Sequence, residues 1–210
     1  MHALPNTEEI RHLAPFENLA HTQIRVISTV EQAQQFKNEL ENINIFGFDS
    51  ESKPTFQKGE VSTGPHLIQL STANTAYLFQ MNDAMFTFLQ PILANPKQLK
   101  VGFGLKNDAH LFRKKGIELN NAIDLSKCFT QLGLNQTIGI KNAIALLFQR
   151  YFAKSKKVST SNWARRHLTS AQISYATADA YGALLVFLEL ERRQILPPYV
   201  LQHMNSLKSE

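Results

Sequence analysis

The stretch that most constrains this chain runs from Thr169 to Arg192. Thr169 followed three residues later by Gln172 is a capping-box signal, so a helix is expected to start here and continue through the apolar run to about Arg192. Within it Tyr175 and Asp179 stand four apart and share one face. A helix this apolar belongs in a core, and it takes a phenol and a carboxylate there together. Whatever fold the chain adopts must give these two groups something to face.

The chain has 210 residues, 43% of them hydrophobic and 10% aromatic, which is enough for one sizeable core and argues against disorder. One domain is expected over residues 22–196, with an N-terminal extension over 1–21 and a C-terminal tail over 197–210. The formal net charge of +5 fits a polyanionic partner and equally fits an ordinary globular surface. Cys128 is the sole cysteine, so there is neither a disulfide framework nor a cysteine cluster for structural zinc, and a reducing, cytoplasmic setting is expected. No run of about 18 apolar residues suggests a membrane partner, and the N-terminus is too polar for a secretion signal.

In chain order, Thr7 to Leu19 gives a weak helical signal. The β-branched run in Gln23 to Ser28 reads as a strand, and Thr29 caps a helix through about Leu40. Ile43 to Ser50 reads as a buried strand that ends in acid. Lys53 to Pro65 is a loop, and His66 to Ser71 and Ala76 to Gln80 form a hairpin. Asn82 to Leu93 has helical spacing, Lys100 to Phe103 is a short strand, and a helix from Lys106 to Lys115 stops at Gly116. Ile123 to Leu125 is a further strand and Ser126 to Leu132 a helical region. Ile140 to Ala153 reads as one strong helix, followed by a basic loop with Lys154, Lys156 and Lys157. Strands followed by strand-helix alternation predict an α/β fold, a mixed sheet flanked by helices.

In Phe48-Asp49-Ser50-Glu51 the two carboxylates are two apart, so strand alternation sends both to one side. Like charges this close repel unless a cation neutralises them, and an all-oxygen set suits Mg²⁺ or Mn²⁺. Alone, an Asp-x-Glu pair also reads as a solvated strand end. In Val101-Gly102-Phe103-Gly104-Leu105-Lys106-Asn107-Asp108 a strand turns through two glycines, and Asp108 falls in the first turn of the next helix. A carboxylate there is also favoured by simple helix-end electrostatics. Open sheets gather their ligands at strand carboxyl ends, where Asp49, Glu51 and Asp108 all fall.

With these three segments in order, the chain resembles the DEDD 3′-5′ exonucleases of the ribonuclease H-like fold, in the tyrosine-bearing subclass that includes ribonuclease D and the Werner-syndrome exonuclease domain. Phe48 to Glu51 is similar to the first motif, Gly102 to Asp108 to the second, and Tyr175-x-x-x-Asp179 to the third. Ser161-Asn162-Trp163, Arg166 and Gln172 resemble the lead-in to the third motif, and His66 to Ser71 resembles the second strand. Arg166-His167-Leu168 departs from the common Arg-Pro-Leu. The histidine subclass places a histidine five before the last Asp, and here that position is Ser174.

The resemblance implies that Asp49, Glu51, Asp108 and Asp179 hold two divalent ions, Mg²⁺ or Mn²⁺, at the scissile phosphate, and that Tyr175 positions the attacking water. It implies release of 5′-mononucleotides from the 3′ end of DNA or RNA, with the partner a single-stranded or frayed nucleic acid. Lys106, Asn107, Lys154, Lys156, Lys157, Arg165 and Arg166 are candidates for holding the substrate backbone, and Phe56 for stacking on the terminal base. Each also reads as a solvated or loop-packing residue, and Trp163 as a packing anchor. The alternative function is a catalytically weak nucleic-acid-binding or scaffold module of the same fold.

Overall fold

Along one central strand Ile45, Gly47, Asp49 and Glu51 alternate with Phe46, Phe48 and Ser50, and this alternation divides the molecule into two faces. The computed structural model describes residues 4–55 and 63–206. In chain order the elements are α1 (Thr7–Arg11), β1 (Ala14–Pro15), β2 (Ile24–Ile27), α2 (Val30–Gln34), α3 (Lys37–Glu41) and β3 (Ile45–Glu51). Then follow β4 (Leu67–Ser71), β5 (Ala76–Gln80), α4 (Asp83–Leu93), β6 (Leu99–Gly102), α5 (Lys106–Lys114) and β7 (Ala122–Asp124). The last elements are α6 (Ile140–Phe148), β8 (Arg150–Tyr151), α7 (Lys156–Ser159), α8 (Ser170–Arg192) and α9 (Pro198–Ser206).

Six strands form one mixed sheet in the order β2-β5-β4-β3-β6-β7. The expected hairpin is present, with β4 antiparallel to both β5 and β3, while β3, β6 and β7 run parallel. Phe46 and Phe48 point to one face, where they pack with Tyr77 and Phe79 against Met85 and Leu89 of α4 and Phe112 of α5. On the other face Val101 and Ile123 pack against Ile144 and Leu147 of α6 and Ala183, Leu184 and Phe187 of α8. Helices thus flank a mixed sheet on both sides, as expected.

Helix α8 is long and apolar enough to cross a bilayer, yet 61% of that stretch is buried in this core. Its start follows the capping box: the Thr169 hydroxyl accepts from the Gln172 N–H at 3.2 Å, and the Gln172 side chain accepts from the Thr169 N–H at 3.0 Å.

Four expected elements differ. The helix expected from Thr29 to Leu40 is two short helices, because its only buried side chains, Ala33 and Leu40, are brought into the core by a break at Gln35–Phe36. Phe36 there meets the edge of Tyr77 at 5.6 Å. The helix expected over Ile140 to Ala153 stops at Phe148, since Gln149 turns left-handed and Arg150–Tyr151 pair with Ala14–Pro15. Ser126 to Leu132 is covered by two 3₁₀ turns, the second closed by Gly133 at φ 78°. The N-terminal helix spans only Thr7–Arg11, and the chain beyond it is fixed by Phe16 on Phe152 (5.2 Å) and by the Asn18 amide donating to the Ser174 carbonyl (2.9 Å). At the other end, Val200 of α9 is buried against the core.

Candidate active site

Because odd-numbered side chains of β3 face α8, Asp49 and Glu51 project toward the helix face that carries Tyr175 and Asp179. Asp49, Glu51 and Asp179 each offer a carboxylate oxygen within 4.8 Å of the others. Asp179 is 3% exposed, and Tyr175 is buried beside it. Asp108, in the first turn of α5, stands outside that trio, and its carboxylate accepts a short hydrogen bond from the Ser50 hydroxyl.

Crowding these acids has an electrostatic cost. Burial, then Asp179, Glu51 and Asp108, hold Asp49 well above the usual carboxylate range. Burial and the charge of Asp179 push Glu51 up to about 8. Burial raises Asp108 against the opposing pull of the Ser50 hydroxyl, and it raises Asp179 against the pull of Lys154. The Tyr175 phenol is also pushed upward, by burial and then Asp179, so it is a neutral hydroxyl at ordinary pH.

These residues fit a divalent cation. The donors are all carboxylate oxygens, the set that hard cations take, and the buried Asp179 Oδ2 has no properly directed hydrogen bond among the described residues. Lys154 Nζ does come within 3.0 Å of Oδ2, but hydrogen-bond geometry is met only at Oδ1, at 3.1 Å. Oδ2 thus has an ammonium beside it but no directed hydrogen bond, so a divalent ion could take it in exchange for that charge.

The segment before α8 aims Tyr175. The Gln172 amide donates to the Ser161 hydroxyl at 2.9 Å and to the Asn162 carbonyl at 3.1 Å, tying the lead-in to the first turn of the helix. Trp163 is fully buried, donates to the Ser159 carbonyl at 3.0 Å, and packs on Tyr175 at 5.9 Å between ring centres. It is a packing anchor, as expected. Gln80 at the end of β5 donates to the Arg165 carbonyl at 2.9 Å and fixes the same loop from the sheet side.

Of the candidate substrate residues, Lys106, Lys156, Lys157, Arg165 and Arg166 are exposed and Lys154 is half-buried. Phe56 lies outside the described residues, as does the side chain of Asn107. Sequence reasoning missed the roles of Ser50, which binds Asp108, and of Gln69, which pairs in register with Asp49 and is fully buried. Both side-chain amide atoms of Gln69 lack a partner among the described residues. Its position between the apolar Ile68 and Leu70 of a buried strand was the available signal.

Residues 24–194 match the sequence profile described as 3′-5′ exonuclease. The chain belongs to the 3′-5′ exonuclease family. It is 27% identical over 164 residues to the mouse bifunctional 3′-5′ exonuclease/ATP-dependent helicase WRN, a match covering 75% of this chain and 12% of that protein. Its fold is similar to the Nibbler EXO domain of Aedes aegypti, with a TM-score of 0.73 at 21% identity over 91% of this chain and 99% of the other. It is also similar to Trypanosoma brucei RNase D in complex with RNA U12, with a TM-score of 0.69 at 19% identity over 87% and 64% of the two chains. This chain thus spans a small part of WRN and nearly the whole of the Nibbler domain. The fold these exonuclease structures share is the ribonuclease H-like one.

Proposed function

We propose that this member of the 3′-5′ exonuclease family is a metal-dependent hydrolase of the tyrosine subclass, removing 5′-mononucleotides from the 3′ end of a nucleic-acid strand. The observation that carries the reading is the convergence of Asp49, Glu51 and Asp179 within 4.8 Å, beside a tyrosine one helical turn before Asp179. We assign the activity to residues 22–196.

Asp49, Glu51, Asp108 and Asp179 would hold two divalent ions, Mg²⁺ or Mn²⁺. Such ions, when bound, lower the pKa of the attacking water and stabilise charge on the leaving 3′ oxygen. The acids are carried on three elements, Asp49 and Glu51 on β3, Asp108 on α5 and Asp179 on α8, so the packed scaffold sets their spacing. Tyr175 contributes a neutral hydroxyl, a donor and acceptor in one, that orients water at the phosphorus rather than removing its proton. Its ring is held by Trp163, so the hydroxyl is kept in place by packing. Hydrolysis then breaks the bond between phosphorus and the 3′ oxygen of the penultimate nucleotide and leaves a 3′ hydroxyl for the next cycle.

The substrate reading rests on the net positive chain and on the need for an unpaired 3′ end to reach acids at the carboxyl end of the central strand β3. RNA U12 is bound by the trypanosomal RNase D, which supports RNA as one substrate class. The test is digestion of 5′-labelled single-stranded RNA and DNA of one sequence with Mg²⁺ or Mn²⁺. The reading expects a ladder that shortens from the 3′ end and stops on addition of EDTA. Internal cleavage, or degradation indifferent to EDTA, would contradict it.

A further inference from the structure

Lys154 stands where the acid cluster most needs positive charge. Its Nζ lies 3.0 Å from Oδ2 and 3.1 Å from Oδ1 of Asp179, and 5.4 Å from the centre of the Tyr175 ring. The two ends of this ion pair differ in environment: the Lys154 side chain is 35% exposed and that of Asp179 only 3%. Phe152, buried against Phe16, anchors the backbone two residues before Lys154. The ammonium thus rests on a buried carboxylate while part of the side chain stays exposed.

On its outer side Lys154 lines a cleft of about 480 Å³ together with Phe103, Gly104, Lys141 and Asn142. Lys141 is itself close enough to favour the charged form of Asp179. The ammonium thus has two places to be: against a buried carboxylate, or in an adjoining cationic cleft open to solvent.

We propose that Lys154 is a resident cation that occupies the Asp179 corner of the acid cluster until a divalent ion enters, and then turns into the adjoining cleft to meet the phosphodiester backbone. The inference rests on reading the acids as a divalent-metal site. It follows from the coordination chemistry of Asp179. A buried carboxylate gives up one cation readily only in exchange for another, and a divalent ion approaching Asp179 meets an ammonium already bound there. Lys154 therefore holds the cluster together without metal and opposes metal entry. Its removal should have opposite effects on those two properties, whereas an ion pair serving structure alone would change stability without raising metal affinity.

The test is Mn²⁺ binding by calorimetry, with thermal melting of chelator-treated protein, on the full chain and three variants. Lys154→Met should bind Mn²⁺ on the order of tenfold more tightly, because a unit charge in contact with the site is gone. Without metal it should melt below wild type, and with saturating Mn²⁺ it should recover. Lys154→Arg keeps the charge and the fold but grips a carboxylate with two parallel donors, so it should bind Mn²⁺ more weakly than wild type. Lys156→Met, an exposed charge removed nearby, should bind as wild type does.

An affinity order of Met above Lys above Arg supports the proposal. Equal affinities across the three, or weaker binding in Lys154→Met, overturn it. If Lys154→Met does not fold, Lys154→Arg decides alone: unchanged or tighter Mn²⁺ binding overturns the proposal. Absence of Mn²⁺ binding in every protein would remove the metal-site reading and this inference with it, whereas binding that ignores position 154 would remove only this inference.

Discussion

Gly47 of β3 and Ala180 of α8 approach so closely that a Cβ on Gly47 would stand 1.9 Å from the Ala180 carbonyl oxygen. Gly47 precedes Asp49 by two residues on the same strand face, and Ala180 directly follows Asp179. The absence of one side chain therefore lets the strand bearing Asp49 and Glu51 lie against the helix bearing Tyr175 and Asp179.

Gly47→Ala tests this. The clash is with backbone, which cannot turn aside as a side chain can, so α8 must shift away from β3. Overpacking of this kind costs about 1–3 kcal/mol or more, read as a lower midpoint in urea unfolding. Misplacing Asp179 by about 1 Å should reduce kcat on the order of a hundredfold. A variant with wild-type kcat would show that this close approach does not set the site.

Much of this arrangement was legible in the sequence. The Thr169–Gln172 capping box correctly marked the start of α8, and the apolar run marked its end at Arg192. Alternation in β3 and the hairpin of β4 and β5 were readable from period-two patterns and turn residues. The helix end at Phe148 was hidden because it depends on Arg150–Tyr151 pairing with Ala14–Pro15, a partner remote in the chain. The hydrogen bond from Ser50 to Asp108 was hidden for a related reason: alternation turns Ser50 away from Asp49 and Glu51, and only the folded position of α5 supplies an acceptor.

Lys100 predicts a pH dependence separate from the acid cluster. It is fully buried in β6, with Nζ donating to the carbonyls of Asn95 (2.9 Å) and Ile92 (3.4 Å) at the end of α4. Burial lowers its pKa to about 7 in the folded chain, while in the unfolded chain it stays near the ordinary lysine value of about 10.4. Between those values the unfolded state binds more protons, so this residue's contribution to stability rises with pH and is lost as pH falls toward 7. The stability of wild type relative to Lys100→Met should therefore increase from pH 7 to 10, by at most about 1.4 kcal/mol per unit. A difference that stays flat in urea titrations across this range would contradict the burial of a titrating ammonium.

Tyr175→Phe should separate positioning from metal binding. Phenylalanine keeps the ring that packs on Trp163 and loses only the hydroxyl. Mn²⁺ affinity should stay within about twofold of wild type, while kcat falls roughly ten- to a hundredfold for loss of an orienting group. A loss of Mn²⁺ affinity as large as that in Asp179→Ala would count against a water-positioning role.

The most direct test of the whole account is Asp49→Asn, read for both rate and stability. Burial and then the charges of Asp179, Glu51 and Asp108 all disfavour a charged Asp49, so neutralising it relieves that cost in the metal-free protein while removing a ligand. The expected result is a melting temperature at or a few degrees above wild type in EDTA. With Mn²⁺, shortening of a 5′-labelled single strand from its 3′ end should fall by on the order of a hundredfold or more. A folded Asp49→Asn protein that shortens the strand at the wild-type rate would contradict the assignment of hydrolysis to this cluster.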